Sequence, residues 1–188
     1  MLFLTTLLVW VAVQSATPAV RVAIETEMGR ITMEVDVAHT PITSANFLRY
    51  VNEQFYDGGR FHRTVTLDNQ PGAAVRIEVI QAGIDPAREK DGFAPIPLER
   101  TSKTGLLHRN GVVSMARAGA DTATSDFFIC IGNQPELDFG GKRNPDGQGF
   151  AAFGKVTKGM EVVRKIQGSK AKDQTLTPPV LIDFVKRI

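Results

Sequence analysis

Short apolar stretches of strand length, separated by turn residues, recur along the chain and limit what it can fold into. Residues 20–25 and 30–36 are predicted to form a hairpin, with the turn at Gly29, where a glycine adopts positive φ without steric cost. In the second strand, Ile31, Met33 and Val35 alternate with polar residues, as in a half-buried strand. Further runs of strand length occupy residues 61–65, 75–80, 111–117, 127–131, 150–156 and 180–185.

Two segments have the features of helices. Thr40 and Pro41 predict a helix start, with a hydroxyl cap followed by proline at the first helical position. A second, short helix is predicted at residues 160–167. Many short strands with two helices indicate one domain over residues 20–188, a closed or nearly closed β-structure with helices at its ends. Loops are predicted at residues 66–72, 83–111 and 137–149.

The first sixteen residues, MLFLTTLLVWVAVQSA, form an uncharged apolar block that ends in small residues. The block is shorter than the roughly 18 apolar residues of a membrane span and suits a signal peptide cleaved near Ala16. The block lacks the Lys or Arg that usually lies near the start of a signal peptide, so a first buried strand or an uncleaved anchor remains the alternative. We expect a periplasmic or secreted protein, not stably inserted in a membrane after cleavage.

Charge and cysteine content exclude several classes of function. The formal net charge of +2 is too small to indicate a nucleic-acid partner. Cys130 is the single cysteine, so no internal disulfide forms, and its apolar neighbours disfavour a reactive thiolate. The three histidines are scattered singly, without the spacing of metal ligands. We expect neither a metal nor a cofactor.

Serine chemistry has no signature in the sequence either. Ser114, Ser125 and Ser169 lie outside any G-x-S-x-G pattern, although folding alone could assemble a catalytic triad. The remaining possibilities are noncovalent catalysis and binding.

Four segments carry a resemblance to a known family. In order they are FHRTV (61–65), IEVIQAG (77–83), GVVSMARAGADTATSDFFICIG (111–132) and FAAFGKVTKGMEVV (150–163). Together they resemble the cyclophilin peptidyl-prolyl isomerases, and VAIETEMGRITMEVD and TPITSANFLRYV look like that family's first hairpin and helix. The resemblance implies a closed eight-stranded antiparallel β-barrel capped by two α-helices. It also implies a cofactor-independent isomerase, expected to be monomeric, that acts on proline-containing unfolded or flexible polypeptides.

The resemblance implies roles for individual residues around FHR. Arg63 matches the family's catalytic arginine, and the alternative for it is a surface salt bridge. Gln81 matches the glutamine that hydrogen-bonds the peptide and orients the arginine, and His62 is expected to support the local hydrogen bonds. Phe128 matches the floor of the proline pocket, and Phe127 should face the barrel core because successive strand residues face opposite ways.

Five further positions are expected at the peptide groove. Ala116 matches a backbone group that pairs with the bound peptide, and Arg117 stands where many members have asparagine. Val79 replaces a longer methionine at the pocket. Leu137 and Phe150 match pocket positions, and each of them is equally compatible with a buried packing role.

Three residues depart from the family's pattern. Glu78 stands where an aromatic residue usually lines the pocket, so it points to solvent, pairs with Arg63, or is displaced by the longer stretch between FHR and IQAG. Asp126 replaces a glutamine and could accept a hydrogen bond from Arg63 or bind basic peptides. Glu136 replaces a tryptophan that holds cyclosporin, so we expect weak binding of that drug. The runner-up function is therefore a noncatalytic proline-peptide binding module or holdase.

Overall fold

The structure is a computed structural model, and it describes residues 19–188. The predicted signal peptide, residues 1–16, lies outside the described residues. From Ala19 onward, none of the helices combines the length and the apolar character needed to traverse a lipid bilayer.

Strands account for most of the regular structure. In chain order they are β1 (Val20–Thr26), β2 (Gly29–Val35), β3 (Arg60–Val65), β4 (Val79–Gly83), β5 (Val112–Met115), β6 (Phe127–Cys130), β7 (Ala151–Lys158), β8 (Ala171–Lys172) and β9 (Thr175–Arg187). The helices are α1 (Pro41–Asn52), the single-turn α2 (Thr101–Thr104) and α3 (Met160–Gln167), with 3₁₀ turns at Pro86–Asp91 and Pro135–Leu137.

Eight of the strands close into an antiparallel barrel. Their order around it is β1-β2-β7-β5-β6-β4-β3-β9, and β9 pairs with β1 to close the ring. The two-residue β8 pairs with β9 outside the ring. Closure gives both edges of the sheet a partner, so the ring has no free edge. The predicted eight-stranded closed barrel is confirmed, with β8 as an additional strand and α1 and α3 as the two longer helices.

Aromatic side chains fill the interior of the barrel. Phe127 of β6 lies in the centre of this cluster, with its ring centroid 5.6 Å from that of Phe47 on α1 and 5.5 Å from that of Tyr56. Phe47 also packs on Phe153 of β7 at 5.0 Å. Helix α1 therefore closes one end of the barrel by inserting an aromatic ring into its core.

The start of α1 differs from the prediction in one respect. Pro41 is the first helical residue, as expected, but Thr40 makes no side-chain capping hydrogen bond. Its Oγ1 donates instead to the Asp36 carbonyl at 2.7 Å. The free amides of Ile42 and Thr43 donate to the carboxylate of Glu99, at 3.2 and 2.7 Å. The cap comes from a distant loop, which a local sequence pattern cannot reveal.

The strand predicted at residues 75–80 is displaced, because β4 begins only at Val79. Side chains take the backbone hydrogen bonds of the preceding segment. The Gln70 amide group bonds to both the N–H and the carbonyl of Ile77, at 3.2 and 2.9 Å, and Arg143 donates to the Val75 carbonyl at 2.8 Å. These backbone groups are therefore not paired with a neighbouring strand.

Replacement of Phe127 by alanine tests the importance of the aromatic core. The ring is completely buried, so its loss is expected to lower the free energy of unfolding by about 3–5 kcal/mol. Urea-induced unfolding measures the change. Phe139, which is 47% exposed, supplies the control, and Phe139→Ala should shift stability by only about 0.5 kcal/mol. Equal losses in the two variants would contradict the assigned core.

Candidate active site

A cleft of about 460 Å³ lies on the outer face of the barrel, across β3, β4, β5 and β6. It collects all of the predicted site residues except His62, which lies beside it. The predicted residues that line the cleft are Arg63, Val79, Gln81, Ala116, Arg117, Asp126, Phe128, Leu137 and Phe150. Residues spread over 88 positions of the chain (150 − 63 + 1) thus converge on one surface.

An apolar patch forms the floor of the cleft. Phe128, Leu137, Val79 and Ile77 are buried in a cluster separate from the barrel core, and Phe150 packs against it. The Phe150 ring stands edge-on to Phe128, with centroids 5.4 Å apart and planes at 88°. Leu137 and Phe150 therefore serve both as packing residues and as cleft walls.

Phe127 and Phe128 face opposite sides of β6. Phe127 belongs to the barrel core and Phe128 to the floor of the cleft. The predicted alternation is confirmed, and it explains why two adjacent phenylalanines are needed at this point of the chain.

Arg63 is held by glutamines from both sides. Its Nη1 donates to Gln81 Oε1 at 3.0 Å, while Nε and Nη2 donate to Gln174 Oε1 at 3.0 and 2.6 Å. Both acceptors are neutral amide oxygens, so the positive charge of the guanidinium is not cancelled by these contacts. Burial lowers the pKa of Arg63, and the nearby charge of Arg143 lowers this pKa further.

A β-bulge brings His62 and Arg63 to the same face. The register of β3 against both β4 and β9 shifts between Phe61 and Arg63. Phe61 is completely buried in the core, whereas His62 and Arg63 are both partly exposed. In a regular strand these two neighbours would face opposite sides. The bulge places His62 Nε2 3.5 Å from Asp126 Oδ2, within ion-pair distance when the imidazole is protonated.

Gln81 is fixed at both ends of its amide. Its Oε1 accepts from Arg63, and its Nε2 donates to Asp126 Oδ2 at 2.9 Å. Asp126 therefore acts on Arg63 through Gln81, and the direct hydrogen bond from Arg63 to Asp126 that the sequence allowed is not formed. Burial raises the pKa of Asp126, while the Gln81 hydrogen bond and the charge of His62 oppose the rise.

Comparison with known proteins agrees with this geometry. The family model described as cyclophilin type peptidyl-prolyl cis-trans isomerase/CLD matches residues 21–187. Peptidyl-prolyl cis-trans isomerase A of Dickeya dadantii is 32% identical over 182 residues, which cover 93% of this chain and 87% of that protein. A peptidyl-prolyl cis-trans isomerase of Streptomyces antibioticus is 34% identical over 171 residues, covering 88% and 96% of the two chains.

The chain belongs to the cyclophilin-type peptidyl-prolyl cis-trans isomerases. This is a family of enzymes that work without a cofactor. Among solved structures, a cyclophilin-type isomerase of Cryptosporidium parvum has the same fold, with a TM-score of 0.73, 22% identity and coverage of 91% of this chain and 98% of that one.

Glu78 does not enter the proline pocket of this cyclophilin. Its carboxylate accepts from Gln167 Nε2 of α3 at 3.3 Å. Ile77 and Val79, on either side of it, face the cleft instead. Of the alternatives that the sequence left open for Glu78, pairing with Arg63 is not formed, because the Arg63 guanidinium bonds to Gln81 and Gln174. Ile77, Val79 and Gln81 all line the cleft, so the two-residue period of a strand directs the intervening Glu78 side chain away from it.

Arg117 anchors the loop of residues 138–150, which forms one wall of the cleft. Its guanidinium makes a two-point contact with the Asp146 carboxylate, at 2.7 and 2.9 Å, and donates to the Gly149 carbonyl at 2.7 Å. Its centre lies 5.0 Å from the ring centroid of Phe150. The Arg117 side chain is only 1% exposed, so its principal contacts are within the protein.

His108 supports the floor from below. Its ring stacks on Phe128 with centroids 6.0 Å apart, Nδ1 lies 2.7 Å from Asp138 Oδ1 and Nε2 lies 2.9 Å from Ser114 Oγ. The order Asp-His-Ser matches that of a hydrolase triad. Ser114 is completely buried beneath the pocket, however, so its hydroxyl cannot meet a substrate. The group is a rigid support for Phe128.

Sequence reasoning missed four residues of the site: Gln70, His108, Arg143 and Gln174. Gln174 precedes β9 and lies 111 positions from Arg63, so no local pattern connects the two. Arg143 lies in the Gly-rich extension at residues 140–149, and its Nη1 donates to Gln70 Oε1 at 3.1 Å. Of these four, only Gln70 lay in a departure visible in the sequence, the longer stretch between FHR and IQAG.

The Arg117–Asp146 contact predicts a pH dependence of stability. Hydrogen bonds from Arg117 lower the pKa of Asp146 to about 2, below the value of about 3.9 expected in the unfolded chain. The contact therefore stabilises the fold above about pH 4 and loses its effect as the pH falls towards about 2.

Thermal unfolding of Asp146→Asn across this pH range tests the contact. The variant is expected to melt below the wild type near neutral pH, and the difference should shrink on acidification. Asp68→Asn, at an exposed loop position, is the control and should follow the wild type throughout. A difference for Asp146→Asn that is constant with pH would exclude the ion pair as its cause.

Proposed function

We propose that this cyclophilin accelerates rotation about X-Pro bonds in unfolded or flexible polypeptides, with Arg63 as its catalytic residue. The observation that carries the proposal is a partly buried guanidinium, bonded to neutral amides, at the edge of an apolar pocket. We expect the protein to act as a monomer and to assist protein folding.

The reaction needs a fixed cation and no nucleophile. Rotation about an X-Pro bond is slow because the amide has partial double-bond character, with a barrier of roughly 18–20 kcal/mol. In the twisted transition state the prolyl nitrogen becomes pyramidal and gains a lone pair. A guanidinium that donates to this lone pair binds the twisted form more strongly than the planar one, and such differential binding lowers the barrier.

The two glutamines prepare Arg63 for this task. Gln174 and Gln81 hold the guanidinium on both sides without neutralising it. Because Asp126 fixes the Gln81 amide, little reorganisation of the arginine is needed when a peptide arrives. In this arrangement Gln81 positions Arg63 and lies at the cleft surface, where it can also bond to the peptide backbone.

The floor of the cleft suits a proline ring. Phe128, Leu137 and Phe150 provide an apolar pocket that holds the ring while the rest of the peptide rotates. The Ala116 N–H already donates to the Asp126 carbonyl at 2.8 Å, which leaves the Ala116 carbonyl for the peptide.

The two nucleophilic side chains packed beneath the floor of the cleft are both inaccessible. Cys130 is completely buried, and burial raises the pKa of its thiol. Ser114 is likewise buried. In the same part of the chain, no three or more His, Cys, Asp and Glu side chains cluster as metal ligands.

Exchange spectroscopy of a proline peptide by NMR tests the role of Arg63. Arg63→Ala is expected to lower the catalysed exchange rate by about 10²–10³-fold, the usual cost of losing one such charged donor. Arg63→Lys should restore only part of the rate, because a lysine cannot bond to both glutamines in the same way.

Arg21→Ala is the control, since Arg21 is an exposed arginine paired with Glu34, and it should leave the rate unchanged. Peptide binding without acceleration by the wild type would identify a noncatalytic proline-peptide binding module or holdase. A fully active Arg63→Ala would show that another group acts on the bond.

We further propose that residues 1–16 direct export and are then removed, on the strength of their uncharged apolar composition and small final residues. Expression in a Gram-negative host followed by N-terminal sequencing tests this. The mature protein should start near Thr17, and Leu8→Arg, which interrupts the apolar block, should block cleavage. A chain that starts at Met1 in the cytosolic fraction would overturn the proposal.

A further inference from the structure

The two ends of the cleft carry opposite charge. Arg143 projects into one end from the extended loop and bonds to the Val75 carbonyl, before the start of β4. Asp126 lies at the other end and bonds to Gln81, inside β4. Arg63 lies between them, close enough to Arg143 for that charge to lower its pKa.

A short extended peptide is long enough to reach from Arg143 to Asp126. Val75 and Gln81 are six residues apart, and six residues of extended chain span at most about 20 Å. A bound peptide with proline over Phe128 would therefore place residues two or three positions from the proline near one charge or the other.

Neither charge is neutralised by a partner of fixed opposite charge in the described part of the chain. The only ion-pair partner of Asp126 there is His62, at 3.5 Å, and the Asp126 side chain is 38% exposed. The side-chain hydrogen bonds of Arg143 go to the amide of Gln70 and the carbonyl of Val75, both of them neutral.

Neighbouring groups reinforce this polarity. Glu89 adds negative charge at the Asp126 end, where it helps to raise the pKa of that carboxyl. Arg117 shows the contrast, because its guanidinium is matched by the carboxylate of Asp146. Asp146 thus neutralises the charge of Arg117. In the described residues the charges of Arg143 and Asp126 have no such partner and are available to a bound peptide.

We propose that the cleft selects X-Pro segments with a basic residue on one side of the proline and an acidic residue on the other. Asp126 contacts the basic residue, and Arg143 contacts the acidic one. The inference rests on the proposed function and names the substrate class of the same site. Since both residues are partly exposed, the two contacts together should contribute a modest amount, about threefold to fivefold in rate or affinity.

A simpler role for Asp126 is to hold Gln81 and nothing more. That role predicts that a change at Asp126 alters the rate equally for every peptide. A charge-reading role predicts that the change alters the ratio between peptides. The ratio is therefore the quantity to measure.

Three peptides provide the test: two carry the same charges in opposite order, and the third is uncharged at both positions. All have alanine on each side of the proline. The residue outside each alanine varies. The first peptide has Lys on the amino side and Glu on the carboxyl side, and the second peptide has the reverse. The third peptide has Gln at both positions. NMR exchange rates and titrations give catalysis and affinity separately. One charge order is expected to exceed the Gln peptide by about threefold to fivefold and the other to fall below it. About 1 M salt, where the Debye length is about 3 Å, should remove the difference.

Asp126→Asn keeps an acceptor for Gln81 while removing the charge. It should bring the two charge orders closer together, whatever happens to the absolute rates. Asp183→Asn, an exposed position on β9 that does not line the cleft, removes the same charge and should leave the ratio unchanged.

Each outcome decides a different question. Equal rates and affinities for the two orders, or an equal effect of Asp126→Asn on all three peptides, would overturn charge selection, and acceleration of the Gln peptide would leave the isomerase proposal intact. Absence of acceleration for all three peptides would overturn the isomerase proposal, and the titrations alone would then decide whether the cleft reads charge.

Discussion

The register shift in β3 between Phe61 and Arg63 is the constraint on which the rest of the site depends. A strand that alternates strictly would send His62 and Arg63 to opposite faces. The bulge lets Phe61 remain in the aromatic core while Arg63 lines the cleft and His62 lies beside it. It also sets Arg63 opposite Gln81 on one neighbouring strand and beside Gln174, just before the other. The geometry around Arg63 thus follows from the pairing of β3 with its two neighbouring strands.

The two faces of strand β6 have different roles, one in the barrel core and one in the cleft. Phe127 faces inward and holds the barrel together, and Phe128 faces outward and forms the pocket floor. Behind Phe128, the buried His108, hydrogen-bonded to Asp138 and Ser114, stiffens the floor through a polar network. In the proposed mechanism, such a rigid floor would keep the proline ring in place while the rest of the peptide rotates.

Much of the fold and of the cleft could be predicted from the sequence, because strand alternation and the ordered motifs are local. The hairpin, α3 and the outward direction of Phe128 are examples. Gln174 escaped prediction because only barrel closure brings it to Arg63. The hydrogen bond from Gln167 to Glu78 escaped as well, because it joins α3 to a residue 89 positions earlier in the chain. Long-range side-chain contacts produce no periodic pattern in the sequence, so residues that act through them cannot be recognised from it.

The hydrogen bond between Gln70 and Arg143 limits how the lengths of two loops in this protein can change. It joins the insertion after β3 to the extension before β7, and the Gln70 amide, almost completely buried, also bonds to Thr66 and Ile77. Shortening the loop after β3 would remove both hydrogen-bond partners of the Arg143 guanidinium, and shortening the loop before β7 would remove one hydrogen bond from the buried Gln70 amide. The two loops are therefore a coupled pair, to be lengthened, shortened or grafted onto another barrel only together.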